Sequence, residues 1–309
     1  MQSIQHTPEK VNMKTARILI GVMRLPFVIL APACALVGLG TAYWTTGSVN
    51  WLYFVLAAVG GVSAHVCVNV FNEYLDFRNG LDARTQRTPF SGGSGTLQSN
   101  PELAPAALGI ALAAMAVTGA VGLFFTRVQG WGIVPLGLLG LLLLYGYTAW
   151  LVYHPLLCLL APGLGFGPLM VMGVHFALTG QYSWTAAVAS LVPFFLVNNL
   201  LLLNQFPDVD ADRSVGRRHF PILIGRKRSA LIYVVFLAGA YVAIALGAVL
   251  HILPPFSLLA LLTIFLSGSV AASVRRNAEN IPALVPALGK NVLISLATPA
   301  LFALGSFIR

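Results

Sequence analysis

Six of the nine acidic residues of this chain fall in two short segments. The first, NVFNEYLDFRNGLD, carries Glu73, Asp76 and Asp82. The second, NNLLLLNQFPDVDAD, carries Asp208, Asp210 and Asp212. Each segment follows a hydrophobic stretch, and each sets an asparagine four residues before an aspartate: Asn72 before Asp76, and Asn204 before Asp208. Carboxylates at a membrane boundary are costly unless they pair with cations or coordinate a metal, so such clusters mark a functional site. One set in each half of the chain suggests a shared cage for a divalent metal and a diphosphate.

Asn69, Asn72 and Asp76 are spaced i, i+3, i+7, which places them on one face of a helix. Asn72 and Asp76 are then about one turn apart. Magnesium takes oxygen ligands shared among carboxylates, water and phosphate. An aspartate at a helix end, oriented by an asparagine, suits that work. Asp82 lies beyond Gly80, where the helix can end, and reaches the same ion only if the loop turns back over the site. Glu73 points to another side of the helix. Next comes RNGLDARTQRTPFSGGSGTL. Its Arg78, Arg84 and Arg87 can bind phosphate oxygens in bidentate fashion, or can serve as topology signals alone. Gly92, Gly93 and Gly95 permit close backbone approach. No GxxxxGK[ST] pattern is present, so this is not a Walker loop.

In the second cluster Asn204, Asp208 and Asp212 are spaced i, i+4, i+8, again one helical face. Pro207 is expected to kink or break that helix. Asp210 falls off the stripe and reads as a solvent ligand or a plain surface charge. Asn198 and Asn199 are polar groups in an apolar span and need partners, from a cavity or from a neighbouring helix. Arg217 and Arg218, in RSVGRRHFPILIGRKR, can hold diphosphate or belong to a solvated loop; His219 is a bystander or a phosphate contact. Tyr145, Tyr147, Trp150 and Tyr153 crowd one span. Their rings can line a cavity and stabilise an allylic cation, or form an interfacial belt. His65, His154 and His175 fit packed, hydrogen-bonded roles as well as proton transfer. Cys34, Cys67 and Cys158 form no CxxC pair and read as small buried hydrophobes.

The elements that must position these groups are membrane spans. The chain has 309 residues, 58% hydrophobic and 9% charged, with a mean hydropathy of +0.84. Soluble domains carry roughly 25% charged residues. Apolar runs able to cross about 30 Å of hydrocarbon are read at residues 25–47, 52–71, 103–126, 132–152, 159–179, 184–206, 230–250, 254–273 and 286–307. The fourth and fifth are nearly continuous, divided near His154, Pro155, Pro162 and Gly163. This gives an all-α, nine-helix bundle around a central cavity: a polar segment over residues 1–24, then one transmembrane domain over 25–307. The N-terminal segment is too long and polar to resemble a cleaved secretory signal. Sixteen of the 18 Lys and Arg residues fall on one side of that layout, including Lys10, Lys14, Arg17, Arg275, Arg276 and Lys290. Arg127 and Arg309 fall opposite. The positive-inside rule then places the N-terminus and both acidic segments in the cytoplasm and the C-terminus outside. The net charge of +9 fits topology and attraction to anionic lipid or substrate. No nucleic-acid-binding module and no obligate protein partner is visible.

NEYLDFRNGLD followed by RTPFSGGSGTL, together with NQFPDVDADRSVGRR, resembles the intramembrane aromatic prenyltransferase superfamily, the UbiA family. The closest likeness is to its 1,4-dihydroxy-2-naphthoate branch, which makes the menaquinone precursor. The likeness extends over roughly residues 20–307. It implies nine transmembrane helices around a cavity open to lipid, and Mg²⁺ held with a polyprenyl diphosphate. Asn72 and Asp76 match the family's first motif, Asp82 matches the later Asp of the naphthoate branch, and Asp208 and Asp212 match the second motif. The resemblance thus implies Asp76, Asp82, Asp208 and Asp212 as metal ligands, with Arg78, Arg84, Arg87, Arg217 and Arg218 as diphosphate contacts. Asn69, Asn199, Tyr145 and Tyr147 are the expected cavity residues. Glu73 replaces the usual Asp beside Asn72. The loop HPLLCLLAPGLGFGPL keeps a GPL element but lacks charged residues often found before it. The implied reaction transfers a polyprenyl group to an aromatic acceptor; hydroxybenzoate, homogentisate, a tetrapyrrole or a glycerol phosphate are the alternatives. A cation-coupled or lipid transporter would instead hold its acids near the bilayer midplane.

Overall fold

The computed structural model describes residues 19–308. Lys10, Lys14, Arg17 and Arg309 lie outside the described residues. Among those described, eight helices are long and apolar enough to cross a membrane, and a bent pair makes a ninth. We label them α1 (Leu19–Val28 with Leu30–Thr46), α2 (Trp51–Arg78), α3 (Pro101–Gln129), α4 (Trp131–Ala149) and α5 (Pro155–Thr179). They continue with α6 (Trp184–Ser214), α7 (Arg226–Val249), α8 (Pro255–Asn277) and α9 (Ile281–Ser306). The described residues contain no strand. The all-α polytopic bundle expected from hydropathy is therefore the observed one. Lys290, counted from sequence on the side of the acidic segments, lies inside α9 and is exposed.

Helix α6 is the centre of the bundle, with 67% of its apolar window buried, more than any of the other seven unbroken spans. It packs on α5, α7, α9 and α1, while α2 packs on α3 and α4. The contact between α5 and α6 is set by two glycines one turn apart. A Cβ at Gly163 would sit 2.3 Å from the Phe194 carbonyl oxygen, and one at Gly167 would sit 2.5 Å from that of Ser190. Asn198 exploits the closeness: its Oδ1 accepts from the Gly163 amide at 2.6 Å. Asn199 donates to the Tyr233 carbonyl at 2.8 Å. Both asparagines are thus interhelical ties rather than cavity residues.

Prolines shape the local geometry of three of the spans, α1, α5 and α6. The turn between α4 and α5 falls at Leu151–His154, and Pro155 opens α5 at a position where no amide is needed. Pro162 and Gly163 lie inside α5, which loosens to a π-helix over Gly165–Met172 around Pro168. Of the kink or break expected at Pro207, the break is absent: the helix is continuous from Trp184 to Ser214. Proline removes only one backbone bond, here to the Leu203 carbonyl, and tertiary packing outweighs local propensity. Phe206 and Val209 are buried on either side of it, and Arg226 Nε donates to the Phe206 carbonyl at 2.7 Å. In α1, bent by 40°, Pro32 leaves the Val28 carbonyl without its helical donor.

Candidate active site

The C-termini of α2 and α6 meet at one end of the bundle, and both end by the same device. After α2, the Gly80 amide donates to the Phe77 carbonyl (3.2 Å) and the Leu81 amide to that of Asp76 (3.0 Å). After α6, the Gly216 amide donates to Arg213 (3.1 Å) and the Arg217 amide to Asp212 (3.0 Å). These are paired Schellman caps, and each needs a left-handed residue at its turn. Gly80 and Gly216 supply it, with φ of 76° and 81°. Asp76 and Asp212 are therefore equivalent positions, each four residues before the capping glycine. The matching frame is Asn72, Asp76, Gly80 against Asp208, Asp212, Gly216. It sits one turn further along α6 than the Asn204–Asp208 pairing read from sequence.

The second cap returns Arg217 onto this pair. Its guanidinium bonds Asp212 Oδ1 at 3.0 Å and also Oδ1 of Asp76, bridging the two helices. The other oxygen of Asp212 contacts His219 Nε2 at 2.9 Å. Asp76 Oδ2 accepts from Asn72 at 3.0 Å, and Asn72 in turn accepts from Arg24 at 3.5 Å. Asp82 is folded back over the site by the glycine loop. A Cβ at Gly93 would stand 2.7 Å from its carboxylate, and Gln98 donates to it at 2.8 Å. Burial pushes the Asp82 carboxyl up to about 7, with the Asp76 and Glu73 charges adding to the effect. Buried oxygens of Asn204 and Asp208 have no partner in the protein.

A cavity of about 610 Å³ opens from these groups. Its wall includes Asn69, Asn72, Asp76, Asp82, Tyr147, Asp208, Asp212 and Arg217 of the expected residues, and Arg24, which sequence reading did not propose. Arg78, Arg84, Arg87 and Arg218 are exposed and absent from the wall. Arg84 instead donates to Ser214 at 3.3 Å, and Arg87 to Gln98 at 3.4 Å. Asn199 and Tyr145 are also absent; the Tyr145 ring packs on Phe71 and Trp150. Asp210 points outward, its side chain 85% exposed, beside Arg213. His175 is buried against Thr41. The rest of the wall is mostly apolar, interrupted by His65, Thr118, Thr126 and Gln205, and runs along α2 from Asp76 to Ala57, about 28 Å along a helix axis.

Glu73 has a distinct role. It is 1% exposed, accepts from the Ser94 amide (2.6 Å) and hydroxyl (2.9 Å), and pairs with Arg24 Nε at 3.4 Å. It fastens the glycine loop and the cavity arginine to α2. The sequence signal was present in Ser94, between Gly93 and Gly95, but nothing local links it to residue 73.

The carboxylates at the cavity mouth and the unpartnered oxygens of Asn204 and Asp208 are hard donors that suit a divalent cation, and they stand beside the unpartnered nitrogens Arg217 Nε and His219 Nδ1. Among the described residues, no group of three or more His, Cys, Asp or Glu side chains converges tightly enough to hold an ion by itself. Arg217 stands between two of the carboxylates concerned. Four carboxylates (Asp76, Asp82, Asp208, Asp212) face two guanidinium groups (Arg24, Arg217) on the wall. Two helix C-termini add further partial negative charge. A diphosphate can enter such a field only in company with additional cations.

Residues 31–285 match the model of the UbiA prenyltransferase family, and the chain belongs to that family. It is 26% identical over 197 residues to a 1,4-dihydroxy-2-naphthoate octaprenyltransferase of Bacillus subtilis, covering 63% of this chain and 62% of that protein. It is 28% identical over 270 residues to the UbiA prenyltransferase domain-containing protein 1 of Xenopus tropicalis, covering 84% of this chain and 74% of that one. The fold is similar to that of a UbiA homologue from Archaeoglobus fulgidus bound to DMAPP and Mg²⁺. That likeness has a TM-score of 0.60 at 13% identity and covers 94% of this chain and 99% of that one.

The Glu73 network yields a prediction. Removing one member of a buried ion pair costs roughly 3–5 kcal/mol, so Glu73→Ala should lower the unfolding temperature in detergent and speed tryptic cleavage at Arg84 and Arg87. Glu73→Gln, which still accepts from Ser94, should fall between. Unchanged digestion of Glu73→Ala would remove the fastening role.

Proposed function

We propose that the protein transfers a polyprenyl group from its diphosphate to an aromatic carbon, with 1,4-dihydroxy-2-naphthoate as acceptor in menaquinone formation. The observation that carries this reading is the meeting of two acid-bearing helix ends at the mouth of a long apolar cavity. Family membership supports prenyl transfer, and the likeness to the Bacillus subtilis enzyme favours the naphthoate acceptor. Asp76, Asp82, Asp208 and Asp212 would hold Mg²⁺, oriented by Asn72. When bound, the metal would neutralise the diphosphate and favour its departure.

The protein's own groups do the rest. Arg24 and Arg217 contact the diphosphate oxygens. The exposed Arg78, Arg84, Arg87 and Arg218 attract it to the mouth from outside. The apolar wall takes the isoprenoid tail, whose burial is worth about 0.8 kcal/mol per CH₂, and excludes water from the reacting carbon. The C1–O bond breaks with its electron pair remaining on the diphosphate. The allylic cation-like carbon meets the ring in the part of the cavity that Asn69 and Tyr147 line, where an aromatic ring can stabilise it. A ring π pair forms the new C–C bond, and the ring then loses carbon dioxide from dihydroxynaphthoate, or a proton from other acceptors.

Asp76→Asn and Asp208→Asn should each reduce turnover at least a hundredfold under saturating Mg²⁺ while the protein stays in the membrane. Asp210→Asn should be within about twofold of the unaltered protein. Equal losses at 208 and 210 would contradict the assignment.

The charge asymmetry supports the acidic ends on the cytoplasmic side, with the C-terminus outside. Single cysteines at the exposed positions Ser99 and Ser214, in a background lacking Cys34, Cys67 and Cys158, should react with an impermeant thiol reagent only in opened membranes. Reaction in intact spheroplasts would reverse the orientation.

An acceptor panel given with prenyl diphosphates of several lengths tests the chemistry. Mass analysis should show preferred prenylation of dihydroxynaphthoate with loss of its carboxyl carbon. Preference for hydroxybenzoate would move the protein to another branch. Solute movement in proteoliposomes without any prenylated product would favour a transporter.

A further inference from the structure

The guanidinium of Arg217 and a divalent ion cannot both stand between Asp76 and Asp212. An ion drawing on both carboxylates would take oxygens at about 2.1 Å, in the space where Arg217 now reaches Oδ1 of each. The two cations would also repel across a buried site, since the Arg217 side chain is only 12% exposed. The Arg217 backbone is fixed, because its own amide closes the α6 cap on the Asp212 carbonyl, so the guanidinium can leave the carboxylates only by swinging about its side chain. Its Nε has no partner in the protein, so one donor of the fork is free for another acceptor.

We infer that Arg217 is a built-in counter-ion that competes with the metal, and that it yields the carboxylates only when a diphosphate offers it new oxygens. This rests on the proposed diphosphate chemistry and assigns Arg217 a positioning role in it. The metal alone then binds weakly, because it must displace a satisfied guanidinium and leave it buried without an anion. With diphosphate present, the fork has a bidentate acceptor within reach, and the metal takes the vacated oxygens. The coupling is reciprocal: each ligand raises the affinity for the other. Its use is to keep the two acidic helix ends together before loading, and to prevent a metal-filled cage from forming without donor.

The test reads metal binding rather than turnover. The full chain in nanodiscs is titrated with Mg²⁺ alone, followed by its thermal unfolding. Mg²⁺ should scarcely move the unfolding temperature of the wild type. Arg217→Gln should unfold earlier without metal, yet be stabilised by Mg²⁺ with a half-saturating concentration at least about tenfold lower. A structural role alone would predict the lower stability without the gain in metal affinity. An Arg217→Gln response to Mg²⁺ equal to or weaker than that of the wild type overturns the inference. If that variant does not fold, Arg217→Lys serves. It keeps the charge but not the fork, so its half-saturation should fall about threefold, and identity with wild type overturns the inference equally. The donor chemistry is tested apart from this: prenyl transfer with an unchanged Mg²⁺ response leaves that reading intact and removes the counter-ion. The expected Mg²⁺ response without prenylated product from any acceptor does the reverse.

Discussion

Two helices that end side by side, each carrying an aspartate in its last turn, repel one another twice over. Their carboxylates are like charges, and their unsatisfied carbonyls add negative potential of the same sign. The bundle nevertheless holds Asp76 and Asp212 close enough to share one guanidinium. That arrangement is tolerable only with a cation between them, and the rest of the mouth follows from the need. Arg24 is drawn to Glu73 and Asn72, His219 to Asp212, and the glycine loop closes on Asp82. Removing the apolar bundle beneath would let the two ends separate into water, where neither cap would need a partner.

The membrane interior contributes as much as the charges. Below the carboxylates the wall is mostly apolar over most of a bilayer's thickness. The boundary between the two regions runs across α2 near Asn69, which is held by the Met23 carbonyl at 3.1 Å. A ligand with a strongly anionic head and a long hydrocarbon tail is the kind of molecule that satisfies both regions at once. Either half alone would bind poorly. The head needs cations that the carboxylates gather, and the tail needs a surface that water does not already cover.

Hydropathy located every span, because membrane crossing demands long apolar runs whatever the tertiary contacts. Periodicity likewise placed Asn69, Asn72 and Asp76 on one face. What periodicity could not supply was register between the halves. The Asn-to-Asp spacing occurs in both, yet the capping glycines align Asn72 with Asp208 instead. The informative pattern was Asp-x-x-x-Gly at 76–80 and 212–216, whose meaning lies in backbone geometry rather than side-chain chemistry. Pro207 misled for the opposite reason: its local penalty is real but small beside the burial of Phe206 and Val209. Arginines were the hardest to sort. Arg24 and Arg217 differ from Arg78 and Arg218 only in where a bent helix and a tight cap aim them, and neither is visible in composition.

The matched caps also show how the two halves diverge. In the first, the residue after the glycine is Leu81, 3% exposed, which gives the apolar contact that commonly accompanies this cap. In the second, the same position is Arg217, and the contact becomes electrostatic. One half thus anchors its turn by burial, which leaves Asp82 free to enter the site next in sequence. The other anchors its turn through the carboxylates themselves. A turn held by burial is indifferent to what occupies the mouth. A turn held by Asp76 and Asp212 is not, because any cation or anion arriving there meets the guanidinium that joins the α6 turn to both carboxylates.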